Sequence, residues 1–126
     1  MSRRQTASEQ RQDRAAQALA GLGMHRSDHQ ILGVQCSRGH HVAAVFETPD
    51  GPVYQSVTGS HSHGAKDFID TGKHGRTRGG EHVDLLIAEA GADDHLAAWC
   101  DCGPRSLSRT ELLNLVRSGE RLLRVP

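Results

Sequence analysis

A chain of 126 residues is the size of one domain, and its four aromatic residues (Trp99, Tyr54, Phe46 and Phe68) leave the core to Val, Leu, Ile and Ala. Formal net charge is zero, which excludes a global field toward nucleic acid or a membrane surface, and no apolar run nears the roughly 20 residues of a membrane span. The first residues, MSRRQTASEQRQDRAAQ, hold no apolar signal core, and an odd cysteine count suits a reducing compartment, so the expected location is cytoplasmic.

In chain order, residues 1–24 read as a flexible tail and a short helix. The helix is placed over 13–22, with Ala15, Ala18, Leu19 and Leu22 on one apolar face and Gly21 and Gly23 as its stop. Residues 25–126 read as a single domain. Strands are expected over 31–35, 42–48 and 52–58, the last two joined by Thr48-Pro49-Asp50-Gly51, where proline presets φ and glycine accepts the turn. The apolar positions 42, 45, 46, 53 and 57 do not alternate cleanly, so their faces stay unassigned. Residues 59–80 hold six glycines and few apolar side chains, which predicts a long mobile loop.

Segments 83–90 and 95–100 flank Gly91-Ala92-Asp93-Asp94 and read as a β-hairpin, with a helix over 81–90 as the competitor because Glu, Leu and Ala favour it. Ser108 followed by Glu111 is a capping box, and Leu112, Leu113, Leu115 and Val116 supply the buried face of the helix it opens. Ser118-Gly119 ends that helix, and residues 121–125 form one more short strand. The fold class is α+β: a small zinc-stabilised domain of short antiparallel β-hairpins with a C-terminal α-helix.

Zinc sites are built from Cys and His in close pairs carried by separate turns. Cys36 and His40, in CSRGH, form one such pair around Gly39, and Cys100 and Cys102, in CDCG, form the other before Gly103. Strand, knuckle, strand in one half and strand, knuckle, helix in the other resembles a zinc ribbon or treble-clef module. The resemblance implies a structural zinc held by Cys36, His40, Cys100 and Cys102. His41, His25 and His29 are the alternatives for the histidine ligand, and reduced, partly buried thiols or a redox or disulfide role are the alternatives to a metal.

Little points to catalysis. G-x-S-x-G, H-E-x-x-H and Walker sequences are absent, as is the H-x-E with P-C-x-x-C of zinc deaminases. His61 and His63 in GSHSHG are the candidates for a metal-dependent enzyme, with Asp67 and Asp70 as the nearest carboxylates. Charge is unevenly spread: residues 81–102 carry six acids and no Lys or Arg, and residues 103–126 carry five arginines against two acids. Lys73, Arg76 and Arg78 sit on a glycine-rich backbone able to mould itself to phosphate, and Arg105 and Arg109 extend that basic set. The expected function is a non-catalytic zinc-binding accessory or regulatory module contacting nucleic acid or a nucleoprotein machine. The alternative is a protein-interaction adaptor using the acidic segment or the N-terminal helix.

Overall fold

In the computed structural model, which describes residues 5–56, 82–100 and 102–126, the first element is helix α1, Ala7–Ala20. It begins well before residue 13 because Thr6 and Glu9 close a full capping box. The Thr6 hydroxyl accepts from the Glu9 amide at 3.1 Å, and Glu9 Oε1 accepts from the Thr6 amide at 3.0 Å. A short 3-10 helix, Gly23–His29, leads into the first strand.

Strands β1 (Gln30–Cys36), β2 (His41–Thr48), β3 (Gly51–Ser56) and β4 (Val83–Leu85) form an antiparallel meander. Strand β7 (Leu122–Val125) joins the free edge of β1 in parallel, giving the five-stranded order β4-β3-β2-β1-β7. The expected set of antiparallel hairpins therefore needs correction at this edge. Strands β5 (His95–Cys100) and β6 (Gly103–Ser108) form a separate hairpin, and helix α2, Arg109–Arg117, follows directly.

The sheet is covered on both faces. On one, Ala15, Ala18 and Leu19 of α1 pack on Ala44, Phe46, Val53 and Leu85. On the other, Leu96, Ala98, Leu107 and Leu112 of the hairpin and α2 pack on Leu32, Val34, Val45 and Tyr54. That is why 42–46 is a continuous apolar run: every residue from Val42 to Phe46 is buried, so no alternation can show. Tyr54, fully buried, donates its hydroxyl to the Ala97 carbonyl at 2.7 Å and ties the sheet to β5.

The expected hairpin between 83–90 and 95–100 does not form, and neither does the competing helix. Only Val83–Leu85 is strand, paired with β3, while β5 takes β6 as its partner. The cause is Asp84, 1% exposed inside an apolar run. Arg11 of α1 grips both its oxygens (Nε to Oδ1 2.6 Å, Nη2 to Oδ2 3.1 Å), and Arg109 of α2 reaches Oδ2 at 3.1 Å. Arg11 also donates to Glu89 at 2.8 Å, and Arg109 to the backbone carbonyls of Leu85 and Asp93. Two cations thus meet two anions across three elements. Burial pushes the Asp84 carboxyl up, but the hydrogen bonds and charges of Arg11 and Arg109 outweigh it and hold it below its usual range.

Strand β6 is missing from the sequence reading because Gly103-Pro104 reads as a turn. The hairpin tolerates Pro104 next to its knuckle, opposite Trp99, and buries Leu107 opposite Leu96. The Ser108 hydroxyl caps α2 by accepting from the Glu111 amide at 3.1 Å, and Gly119, at φ +80°, follows the helix end. No helix among the described residues is long and apolar enough to cross a membrane.

Candidate metal centre

The first knuckle closes the β1–β2 hairpin. The Gly39 amide donates to the Cys36 carbonyl at 2.8 Å and the Cys36 amide to the His40 carbonyl at 3.0 Å, with Gly39 at φ +83°. A side chain at Gly39 would strain that turn. The Arg38 amide points at the Cys36 sulfur, 3.4 Å away.

The second knuckle closes the β5–β6 hairpin, where Cys100 pairs with Gly103 and the Cys102 amide donates to the Cys100 sulfur at 3.3 Å. Gly103 sits at φ +122°, a conformation that only glycine adopts without strain. The two knuckles therefore share one design: a sulfur at a strand end accepts the amide two residues on. The second differs from the expected strand, knuckle, helix order, since β6 intervenes between Cys102 and α2.

The two hairpins bring Cys36, His40, Cys100 and Cys102 together, with one donor atom from each lying within 4.8 Å of all the others. His40 Nδ1 stands 3.4 Å from Cys36 Sγ and 3.8 Å from Cys102 Sγ. Bond lengths of about 2.3 Å to sulfur and 2.0–2.1 Å to nitrogen give a tetrahedral S···N edge of about 3.6 Å. The cluster thus has the size and donor set to hold a metal ion, with Nδ1 as the histidine donor. Of the alternative ligands, His41 lies in β2 opposite Gln35, and His25 and His29 lie on the 3-10 helix; none belongs to this group.

Electrostatics favour anionic sulfur here. Burial pushes the Cys36 thiol up, but the amides of Arg38 and His40, the His40 ring and the Cys102 side chain bring it down to about 7. The nearby sulfurs of Cys100 and Cys102 raise the affinity of the Arg105 guanidinium for its proton.

The basic residues fare differently from one another. Arg105 is half-buried beside the cysteines, whereas Arg109 turns inward to Asp84 and is 7% exposed, so its guanidinium is not a surface cation. Lys73, Arg76 and Arg78, with His61 and His63, lie outside the described residues. The Arg11–Asp84–Arg109 network escaped the sequence reading, although a lone aspartate inside VDLL was a readable sign of a buried, paired carboxylate.

Two surface grooves are defined by described residues. One lies between α1 and the β2–β3 turn, the other between α2 and residues 86–92, and neither is lined by a member of the cysteine–histidine cluster. No known protein family, curated protein or solved structure matches the chain.

Proposed function

We propose that this chain is a non-catalytic, zinc-stabilised module whose knuckle end contacts nucleic acid or a nucleoprotein. One observation supports the zinc: three thiols and an imidazole converge within 4.8 Å of one another from two knuckles that are far apart in sequence. Thiolate-rich tetrahedral sites suit Zn²⁺, and four protein donors leave no open position for water or substrate. The ion would link the β1–β2 hairpin to the β5–β6 hairpin, supplementing a small core. Three thiolates around a divalent ion leave one negative charge, which Arg105 offsets.

The choice of partner rests on how charge is distributed along the strands. Cys36 ends β1, and Val125 of the parallel strand β7 lies opposite it, so exposed Arg124 stands near the first knuckle with exposed Arg38. Arg105 approaches from the second knuckle. Ser56 and His82 are hydrogen-bonded to each other toward the same end. The exposed acids Glu47, Asp50, Asp93 and Asp94 lie at the opposite end of their strands, while Glu9 and Asp13 ride on α1, which packs over β4. Phosphate contacts from such a surface would position the module without reading bases.

Elemental analysis of untagged protein should find one zinc per chain. Binding to labelled duplex DNA and to RNA should weaken as salt rises, and Arg38→Ala with Arg124→Ala should flatten the log–log salt plot on duplex by about one unit per lost contact. Zinc-loaded protein with no affinity for either nucleic acid in low salt would transfer the reading to a protein adaptor.

A further inference from the structure

We propose that Cys102 is a peroxide-modification site through which the metal centre opens, an inference that rests on the zinc reading above. The three sulfurs are not equivalent. Cys36 is 0% and Cys100 8% exposed, and each accepts a backbone amide, whereas Cys102 is exposed. Cys36 and Cys100 also end β1 and β5, while Cys102 lies between β5 and β6, outside both strands. A small, uncharged hydroperoxide therefore meets the Cys102 sulfur first.

The chemistry balances without a further reactant. The Cys102 thiolate attacks one peroxide oxygen, forming an S–O bond and breaking the O–O bond, and hydroxide leaves. The Cys36 thiolate then attacks the sulfenic sulfur, forms the disulfide and expels a second hydroxide. Two thiolates are oxidised by two electrons in all, one peroxide is reduced, and both hydroxides are neutralised to water by the acid form of the buffer.

Cys36 is the resolving thiol on geometric grounds. Its sulfur and that of Cys102 flank the same His40 nitrogen, at 3.4 and 3.8 Å, and all four donor atoms lie within 4.8 Å of one another. A disulfide of about 2.05 Å then asks for a closure of less than about 3 Å, within reach of a turn residue. Cys100, held in β5 opposite Gly103, is one residue from Cys102 and would close a cramped ring instead. Loss of two of four donors releases the ion, while the new disulfide keeps the two knuckles linked and Leu96, Ala98 and Leu107 keep the hairpin on the sheet.

The test treats zinc-loaded full-length protein with hydrogen peroxide. A chromogenic chelator follows released zinc, and differential alkylation with peptide mass mapping follows each cysteine. Cys102 should be modified first, one zinc should leave per Cys36–Cys102 disulfide, and dithiothreitol with added zinc should restore the starting state. Cys102→His keeps a fourth donor and should release zinc at least about tenfold more slowly. Oxidation of Cys36 or Cys100 as fast as Cys102, or zinc loss from Cys102→His at the wild-type rate, overturns the proposal. If Cys102→His fails to load, the wild-type mapping decides alone. Protein purified without zinc overturns the metal reading itself, whereas zinc-loaded protein indifferent to peroxide overturns only the modification site.

Discussion

Asp84→Asn is the sharpest test of how the three layers are held together. The substitution keeps volume and one acceptor oxygen but removes the charge that faces two guanidinium groups. Arg11, 2% exposed, would keep only half-exposed Glu89 as an anion, and Arg109 only the carbonyls of Leu85 and Asp93. Removing one partner from a buried ion network costs about 3–5 kcal/mol, because an uncompensated charge stays buried. Against a total stability of about 5–15 kcal/mol this is a large fraction, equivalent to roughly 10–20 °C in Tm for a chain of this size. The assay is urea unfolding followed by circular dichroism, on wild type, Asp84→Asn, and a triple variant with Asp84→Leu, Arg11→Met and Arg109→Met. The triple variant should be less damaged than the single one, since no buried charge is then left without its partner and Glu89, which loses Arg11, is half-exposed. The pH dependence has a defined sign. The folded carboxyl is held below its usual value, so its contribution is full above about pH 4 and disappears as pH falls through the folded value. The gap between wild type and Asp84→Asn should therefore narrow only in acid. An Asp84→Asn protein within about 1 kcal/mol of wild type at neutral pH would refute the network as the clamp.

Tyr54 is the single tyrosine, and burial pushes its phenol up, so its stabilising effect is whole below about pH 10 and lost as pH rises toward the folded value. Phenolate absorbance should appear only as circular dichroism reports unfolding; a folded protein with an ordinary phenol titration would contradict the packing. Gly103→Ala forces a side chain onto a φ of +122° and should cost about 1–3 kcal/mol and lower zinc retention against a chelator; unchanged retention would show that the second knuckle does not depend on this turn. Thr6→Ala should cost about 1 kcal/mol in urea unfolding through loss of the α1 cap, and no change would mean that the first turn does not stabilise the fold. Arg109→Ala should destabilise the fold, while Arg124→Ala should leave the urea midpoint alone and act only on nucleic-acid affinity; the reverse pattern would invert their assigned places.

The sequence alone determined what is chemically local. Four donors in two knuckles, Cys36 with His40 and Cys100 with Cys102, were legible because ligand type and close spacing sit within a few residues of one another. The Ser108 cap, the stop at Gly119 and the short last strand were legible for the same reason, and the Thr6–Glu9 box was equally local but overlooked. Tertiary structure decided everything that depends on which distant segment arrives. His40 and His41 are neighbours in sequence, and only the convergence of the second hairpin selects His40. Arg109 and Arg105 looked alike as cations, yet one is drawn into the core by Asp84 and the other is held against thiols. Strand pairing went the same way: 83–85 joined β3, and 95–100 turned to β6. The local turn signal at 91–94 was outweighed by a buried carboxylate with partners on α1 and α2, because a charge inside a low-dielectric core must be met by opposite charge wherever along the chain it comes from.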